Sequence, residues 1–517
     1  MLQIQNLTII QKKDDRVLVE DLAFVINDGE KAALIGEEGN GKSTILKWIA
    51  KASDISEYAQ ISGSINCDNI IGYLPQELGP SDAALSVEQF LENSCGISMQ
   101  NPKEISILLK KMGIDSSLIH ETRRMDTLSG GERIKLQMLS LLLRGCDLLL
   151  LDEPSNDLDL ETLEWLERFL NESDHTVLYV SHDETLLEKT ADMLIHLEQV
   201  RRKTIPRATV ARIGYRDYIE RRERQMEHQA QVSVFEHDQF RKKKDRYLSI
   251  YQSVEHAQNE ISRRDPSGGR LLKKKMHTVQ SLGKRLDKEK EQLTELPEAE
   301  WAILPKFPEG IEVKNGKTVL NLDIPQLEAG GRVLARNVRL NITGPEHVCI
   351  IGQNGCGKST LIKKIVESIG SKKDLSIGYL PQNYNDLLDP DMTPIEILAP
   401  NGDKESVTNA RIYLGSMKYT SDEMEHSATE LSGGQRAKIL LLKLILDGNN
   451  VLILDEPTRN FSPLSNPALR TLFQNYRGAI IAVSHDRRFL AEVATRTLRL
   501  TENGLTEVRI DKDGRVC

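Results

Sequence analysis

The chain has 517 residues, a net charge of −9 and six cysteines that form no Cys-x-x-Cys pair. No stretch approaches the ~20 uncharged apolar residues of a membrane-spanning helix, and the first residues lack the apolar region of a signal peptide. We therefore expect a cytoplasmic protein without a membrane partner, a disulfide framework or a structural zinc site.

The first 200 residues alternate short apolar runs with helical segments, which is the pattern of an α/β domain. After one such run, residues 36–44 read Gly-Glu-Glu-Gly-Asn-Gly-Lys-Ser-Thr, a phosphate loop whose glycines let backbone N–H groups surround phosphate oxygens. Lys42 is predicted to neutralise β- and γ-phosphate charge, and Ser43 to reach Mg²⁺. Glu37 and Glu38 are acids inside an anion-binding loop, so we expect their side chains to point outward.

Three further motifs of the first half are Gly-Tyr-Leu-Pro-Gln at 72–76, Leu-Asp-Glu-Pro at 151–154 and Ser-His-Asp at 181–183. Asp152 ends a run of leucines, where a buried strand would present its carboxylate to Mg²⁺. Glu153 follows directly and is predicted to face the attacking water as a general base. Gln76 can touch both metal and water, while His182 can donate to the γ-phosphate and hold Glu153 in place.

The middle of the chain has a different composition. Residues 201–300 hold 24 Lys and Arg against 16 Asp and Glu, whereas the rest of the chain is acidic. Residues 215–296 are rich in helix formers and are interrupted by Pro and paired Gly at 266–269, which predicts two antiparallel helices with a turn within 250–270. Arms of about 35 residues would reach ~50 Å. The charge favours a polyanionic partner; a solvated helix pair and a flexible linker are the alternatives.

The motifs of the first half recur from about residue 305 onward. The offset between copies is 316 at the phosphate loop, which reads Gly-Gln-Asn-Gly-Cys-Gly-Lys-Ser-Thr at 352–360. The offset is 303 at Leu-Ser-Gly-Gly, which occurs at 128–131 and 431–434, and the same value relates the Asp-Glu and Ser-His-Asp motifs. This is an internal duplication, and it predicts that each half repeats the same chemistry.

These motifs, in this order, resemble the nucleotide-binding domains of the ATP-binding cassette superfamily over about 400 residues. The resemblance implies an α/β fold with two P-loop cassettes, at 1–200 and 305–517, joined by a long α-helical hairpin linker at 201–304. It also implies ATP and Mg²⁺ as cofactors and an intramolecular cassette dimer that sandwiches two nucleotides head to tail. Each phosphate loop would then share its nucleotide with the Ser-Gly-Gly segment of the other half, so that closure needs the triphosphate.

The residues that this interpretation assigns fall into three sets. The nucleotide-binding residues are Gly36, Gly39, Asn40, Gly41, Lys42, Ser43, Thr44, Gln76, Ser129, Gly130 and Gly131, with Gly352, Gly355, Cys356, Gly357, Lys358, Ser359, Thr360, Gln382, Ser432, Gly433 and Gly434. The Mg²⁺ ligands are Ser43, Gln76, Asp152, Ser359, Gln382 and Asp455. The catalytic residues are Glu153, Glu456, His182 and His485.

Two fused cassettes with a basic helical linker and no membrane span look like the ABC-F branch of the superfamily. That resemblance implies ribosome binding at the exit site, with the linker tip directed towards the peptidyl-transferase centre. Basic side chains of the linker would contact ribosomal RNA or the P-site tRNA. The expected contacts are Arg241, Lys242, Lys243, Lys244, Arg263, Arg264, Arg270, Lys273, Lys274 and Lys275. Tyr247 and Tyr251 would either stack on bases or pack the hairpin.

Departures from the ABC-F pattern refine this interpretation. The loop after Asp-Glu-Pro is nearly intact at 155–159 but reads Thr-Arg-Asn-Phe-Ser at 458–462, so we expect two non-equivalent sites. No adenine-stacking aromatic residue lies near 10–11 or 330–331, and no arm is inserted between the Gln and Ser-Gly-Gly motifs. The chain thus looks most like the ribosomal protection members that confer antibiotic resistance, for example to lincosamides, pleuromutilins or streptogramin A. A housekeeping translation factor for stalled ribosomes, the tandem ATPase subunit of a sugar importer and a chromosome or DNA-repair ATPase are the alternatives.

Overall fold

The structure is a computed structural model that describes all residues except 53, 96–101, 121–122, 201–202, 261–265, 298–305, 371, 373 and 385–386. The chain divides into two compact units. The cassette unit comprises Met1–Tyr215 with Glu300–Cys517, and the helical unit comprises Arg216–Ala299. None of the described helices combines the length and the apolar character needed to cross a lipid bilayer.

The first cassette is built around a six-stranded sheet and has a second sheet of three strands. The nine described strands of the cassette are β1 (Leu2–Gln11), β2 (Val17–Ile26), β3 (Lys31–Gly36), β4 (Ala59–Cys67), β5 (Ile71–Leu74), β6 (Leu148–Asp152), β7 (Thr176–Val180), β8 (Met193–Val200) and β9 (Ile205–Ala211). Its helices are α1 (Lys42–Ile49), α2 (Ile55–Tyr58), α3 (Pro80–Ala83), α4 (Val87–Cys95), α5 (Pro102–Met112), α6 (Gly130–Leu143), α7 (Leu160–Glu172) and α8 (Glu184–Thr190). The sheet order is β5-β6-β7-β3-β8-β9, parallel except for β9, and β2-β1-β4 form a separate antiparallel sheet.

The helical unit is an antiparallel pair formed by α9 (Tyr215–Glu260) and α10 (Pro266–Glu291). Within this unit, Ser233 Oγ donates to the Thr294 carbonyl at 2.8 Å, and Tyr247 lies against Gly283 further along. The arms are unequal, with 46 and 26 residues, instead of about 35 each. The return arm ends at Glu291, six residues before Pro297. The predicted turn falls partly on 261–265, outside the described residues.

The second cassette repeats the first. Its strands are β10 (Thr318–Ala329), β11 (Arg332–Thr343), β12 (His347–Ile351), β13 (Ile377–Leu380), β14 (Val451–Asp455), β15 (Ala479–Val483), β16 (Arg496–Thr501) and β17 (Gly504–Val508). Its helices are α11 (Lys358–Gly370), α12 (Pro394–Leu398), α13 (Lys404–Ser416), α14 (Ser421–Glu425), α15 (Gly433–Leu446), α16 (Asn466–Gln474) and α17 (Arg487–Glu492). The sheet order β13-β14-β15-β12-β16-β17 matches that of the first cassette strand for strand. The predicted fold class is confirmed: two P-loop cassettes and a helical hairpin.

The sheets place the motifs at one edge. In the first cassette the phosphate loop follows β3, Asp152 ends β6 and His182 follows β7, and these three strands are neighbours. Every residue of the three strands is buried, which explains their unbroken apolar runs. Because the strands are parallel, their carboxyl ends open into a single crevice, where ligands of such sheets bind.

The degenerate loop of the second cassette changes a helix start. Asp159 caps α7 by accepting a hydrogen bond from the Thr162 N–H at 3.0 Å. The residue at the corresponding position is Ser462, which is buried and bonds to the Ser465 hydroxyl at 2.7 Å instead. Consequently α16 begins at Asn466, almost one turn later than α7 does at the shared offset of 303.

The cassettes meet through buried ion pairs, which we call the interface ion cluster. It pairs Arg470, Arg487 and Arg488 of the second cassette with Glu184, Glu167, Asp183 and Glu188 of the first. Arg487 is 1% exposed, and one of its guanidinium nitrogens lies 3.1 Å from Asp183. Arg470 reaches both carboxylate oxygens of Glu184, so its fork is bidentate.

Candidate functional site: two composite nucleotide sites

The two phosphate loops have the same internal geometry. Lys42 Nζ donates to the carbonyls of Gly36 and Glu37 at 2.8 and 3.0 Å, and Lys358 repeats these bonds with the same distances in the second loop. Gly41 and Gly357 precede the helices with φ of 88° and 102°, a left-handed conformation that a side chain would strain. Both loops therefore present a curled backbone and an ammonium group at a helix N-terminus, which suits a phosphate chain.

The residues predicted to hold Mg²⁺ adjoin these loops. Ser43 Oγ donates to Asp152 at 2.9 Å, and the Tyr73 hydroxyl lies 3.3 Å from the other oxygen of the same carboxylate. Burial raises the pKa of Asp152 to about 6 against the lowering effect of Ser43, and burial also raises the pKa of Asp455. Hydroxyl and carboxylate oxygens are the ligand atoms that Mg²⁺ prefers, so Ser43 and Asp152 fit the ion. Bound Mg²⁺ would also offset the cost of burying the ionised carboxylate of Asp152.

Both predicted general bases sit on a kinked backbone. Glu153 and Glu456 have φ of 50° and 53°, which is unusual for non-glycine residues and typical of functional sites. His182 Nε2 lies 2.8 Å from the Glu153 carboxylate, whereas the corresponding distance for His485 is 3.9 Å. The histidine and glutamate are thus assembled in the first cassette and separated in the second.

The pKa values differ accordingly. Burial tends to raise the pKa of Glu153, but the charge and hydrogen bond of His182 outweigh it and hold the pKa below its usual value. Burial and the adjacent Asp455 raise the pKa of Glu456 to about 8, while burial and Lys358 lower the pKa of His485 to about 3. Both ring nitrogens of His485 are buried without a hydrogen-bond partner in the described part of the chain. Such orphaned groups facing a crevice fit the arrival of a polar ligand.

The Ser-Gly-Gly segments begin helices. Ser129 caps α6 and Ser432 caps α15, each by a capping box with the residue three positions later. Each helix N-terminus faces the phosphate loop of the other cassette. We define site 1 as loop 36–44 with the α15 N-terminus, and site 2 as loop 352–360 with the α6 N-terminus.

Site 2 is an open cavity of about 470 Å³ between the cassettes. Its lining residues include Gly130, His182, Lys358, Ser359, Thr360, Gln382, Asp455, Glu456 and His485. Asp157 organises one wall: its carboxylate accepts from Gln382 Nε2 at 3.2 Å and pairs with Arg459 at 2.8 Å. The Asp157 carbonyl also accepts a hydrogen bond from the Asn354 side chain in the second phosphate loop. We call residues 155–159, and their counterparts 458–462, the crossing loops; Asp157 thus connects the crossing loop of the first cassette to the phosphate loop and the glutamine of the second.

Site 1 has different contacts. The Glu38 carboxylate accepts a hydrogen bond from the Gly434 N–H at the start of α15. Glu37 forms an ion pair with Lys438 of α15 at 3.2 Å. Both acids therefore reach the opposite cassette, and the N-terminus of α15 already holds an anion.

The remaining predicted residues have varied positions. Asn40 donates to the Leu197 carbonyl at 2.9 Å and so stabilises its own loop. Gln76 and Gln382 are both exposed at the ends of β5 and β13, but of the two it is Gln382 that lines site 2 and bonds to Asp157. The sequence left the adenine-binding residues unassigned, and the structure places aliphatic Leu18 beside Gly41 and Leu334 beside Gly357.

A phosphate loop, a strand-terminal Asp-Glu pair and a Ser-Gly-Gly helix from the opposite half define a tandem ATP-binding cassette protein. The family model described as ABC transporter matches residues 19–156 and 335–459, more than half of the chain, and the chain belongs to this family. It is therefore an ATP-binding protein and an ATPase.

Curated relatives match nearly the whole chain. The chain is 29% identical to the ATP-binding protein Uup of Buchnera aphidicola, over 97% of this chain and 80% of the relative. It is 27% identical to ABC transporter F family member 2 of Arabidopsis thaliana, over 95% of this chain and 75% of the relative. It is 26% identical to the probable ATP-binding protein YheS of Escherichia coli, over 92% of this chain and 75% of the relative. The resemblance to ABC-F proteins is confirmed at this level.

Solved structures agree in fold. The archaeal ribosome recycling factor aABCE1, in complex with the ribosomal stalk protein aP1, superposes with a TM-score of 0.59 at 17% identity, covering 99% of this chain and 95% of that one. The RNase-L Inhibitor gives a TM-score of 0.57 at 17% identity, covering 98% of this chain and 95% of that one. At these identities the likeness concerns the fold alone.

Proposed function

We propose that this ATPase acts on the ribosome, with Mg²⁺ as its metal cofactor and ribosomal RNA as the surface met by its helical unit. The observation that carries the proposal is the set of exposed cations on α9 and α10. Eight of the ten predicted RNA contacts lie among the described residues and all are exposed: Arg241, Lys242, Lys243, Lys244, Arg270, Lys273, Lys274 and Lys275. Arg263 and Arg264 lie outside the described residues.

Most of these cations have no ionic partner among the described residues. Arg241 pairs with Asp238 at 2.9 Å and Lys243 pairs with Glu289, whereas the other six form no ion pair with any described residue. An exposed helix that is stabilised by its own charges usually places opposite charges four residues apart, in i, i+4 pairs. Runs of unpaired cations on a chain with a net charge of −9 instead favour a polyanion, recognised through phosphates and shape. Tyr247 packs within the hairpin, which leaves Tyr251 as the candidate for base stacking.

The cassette residues would supply the switch. Lys42 and Lys358 would hold the phosphate chains, and the Ser-Gly-Gly helices would bind the terminal phosphate across the interface. Mg²⁺, when bound, supplies a Lewis acid that polarises the phosphoryl oxygens. Glu456, whose ionised form would be favoured by a cation bound beside Asp455, would orient the attacking water and take its proton, after which the loss of the terminal phosphate would release the closed arrangement.

The finer proposal is ribosomal protection against antibiotics. It is supported by the short segment between Gln382 and Ser432, which contains α12, α13, α14 and the 3-10 turn Ala428–Glu430, and by the non-equivalent crossing loops. Housekeeping rescue of stalled ribosomes is the second candidate, because the same hairpin chemistry would serve it. The likeness in fold to a solved structure of a ribosome recycling factor is compatible with both.

The variant Glu153→Gln with Glu456→Gln is expected to bind ATP but not turn it over, because the amide cannot accept the proton of the attacking water. With ATP present it should accumulate on ribosomes in sucrose-cushion sedimentation. A second variant adds glutamine at the six cations without an ion pair, Lys242, Lys244, Arg270, Lys273, Lys274 and Lys275. It should sediment mostly free of ribosomes, and any residual ribosome binding should depend less on salt concentration. Ribosome-free sedimentation of the first variant, or its co-purification with a permease, would refute the ribosomal role.

Expression in a drug-sensitive host separates the finer alternatives. Protection predicts higher inhibitory concentrations for drugs of the peptidyl-transferase centre and unchanged values for drugs of the small subunit. The double glutamine variant, which cannot cycle, should lose this protection. Unchanged inhibitory concentrations across the panel, with ribosome binding intact, would favour the housekeeping role.

A further inference from the structure

The first phosphate loop carries an acid at the position where the second loop carries an amide. Glu38 corresponds to Asn354 at the offset of 316. The Asn354 side chain donates to a carbonyl of the crossing loop and leaves the α6 N-terminus facing an open cavity. Glu38 instead extends to the N-terminus of α15 and accepts a hydrogen bond from Gly434. The side chain at this position therefore donates a hydrogen bond in the second loop and accepts one in the first.

The N-terminus of α15 is a strong place for an anion. The helix has 14 residues, its cap Ser432 is satisfied internally, and its first N–H groups and positive dipole end face loop 36–44. In the head-to-tail arrangement of the cassettes, this is where the terminal phosphate of a nucleotide on that loop would be bound. A Cβ atom on Gly434 would lie 2.5 Å from the Glu38 carboxylate, so the helix approaches the acid as closely as a glycine permits.

A second acid ties the same loop to the same helix. Glu37 pairs with Lys438, and their side chains are only 13% and 15% exposed. The corresponding residues of site 2 do not meet: Gln353 lies 3.5 Å from Glu161, and Lys135 lies over the Trp165 ring. Two separate contacts thus hold site 1 closed through carboxylates of the protein itself.

We infer that Glu38 is a specificity-determining residue that stands in for the terminal phosphate and makes site 1 select a nucleoside diphosphate over a triphosphate. A γ-phosphate at this position would place two further negative charges against the Glu38 carboxylate and would compete for the same N–H group. Site 1 then closes without a triphosphate, and ATP-dependent opening and closing belongs to site 2. The inference rests on nucleotide binding by the cassettes and is independent of the ribosomal role.

Nucleotide binding at site 1 tests this directly. In a Lys358→Ala background, which disables the second loop, the protein is expected to bind ADP at least as tightly as ATP by isothermal titration calorimetry. Adding Glu38→Asn, which copies the second loop, should shift the ratio of the two affinities towards ATP by about tenfold to a hundredfold. Glu88→Gln is the matched control, since it removes the same charge from the exposed surface of α4 and should leave the ratio near its starting value.

Hydrogen exchange of the nucleotide-free protein provides a second readout that does not depend on ligand binding. Peptides covering 432–436 should exchange slowly in the unmodified chain and faster with Glu38→Asn, while peptides covering 129–133 should be unaffected. The inference is overturned if the Lys358→Ala protein binds ATP tenfold tighter than ADP, or if Glu38→Asn changes neither the affinity ratio nor the exchange near Gly434.

Discussion

Replacing Arg487 with glutamate is expected to separate the two cassettes and to abolish ATP turnover. Arg487 is almost completely buried between Glu167 and Asp183 of the opposite cassette. Removing one partner of such a buried pair typically costs about 3–5 kcal/mol, because the remaining charges are left without compensation. A reversed charge adds repulsion, so urea unfolding should show two separate cassette transitions in place of a coupled one.

The cluster is informative because its charges are inverted between the halves. At the shared offset of 303, Arg487 corresponds to Glu184 and Arg470 corresponds to Glu167. The structure pairs Glu184 with Arg470 and Arg487 with Glu167. Pairing of two first cassettes from different chains would oppose Glu184 to Glu167, and pairing of two second cassettes would oppose arginines. The interface thus favours unlike halves, which suits two cassettes on one chain.

Two variants make the Arg487 prediction specific. The exchange Glu167→Arg with Arg487→Glu keeps an opposite-charge pair between these two positions but sets like charges against Lys189 and Asp183, so it should recover only part of the lost stability and turnover. Arg411→Glu reverses a charge in an exposed pair with Glu425 and should cost less than about 1 kcal/mol. If Arg487→Glu unfolds like the unmodified chain, the cluster does not hold the cassettes together.

The two predicted general bases are expected to contribute unequally. Glu456→Gln should lower the steady-state ATPase rate by about a hundredfold, the usual scale for a lost general base. Glu153→Gln should lower it by no more than about threefold, because the Glu38 carboxylate occupies the terminal-phosphate position of the site that Glu153 serves. Steady-state phosphate release under saturating ATP measures both variants.

The Glu38→Asn background provides the control for this asymmetry. There the α15 N-terminus is free for a terminal phosphate, so the effect of Glu153→Gln should grow towards that of Glu456→Gln. Equal rates for the two single variants in the unmodified background would contradict the proposed difference between the sites. A larger effect of Glu153→Gln would reverse the assignment of the active site.

Much of the chemistry followed from sequence alone because it is encoded locally. A strand, a glycine-rich turn and a helix start are set by neighbouring residues, so the phosphate loops and the capped Ser-Gly-Gly helices could be read from short motifs. Repetition at a fixed offset then predicted two cassettes, and Pro266 with its glycines predicted the hairpin. The asymmetry of the crossing loops was also visible, since Ser462 stands where Asp159 caps α7.

Only the tertiary structure decided what faces the two helix N-termini. Glu38 meets Gly434 across 396 positions of sequence, and Arg470 meets Glu184 across 286. No periodicity or local propensity specifies such pairs, because they depend on how two folded cassettes pack. From the sequence, Glu37 and Glu38 are only unusual acids in a phosphate loop. The packing of the cassettes places the Glu38 carboxylate at the N-terminus of the opposite helix α15.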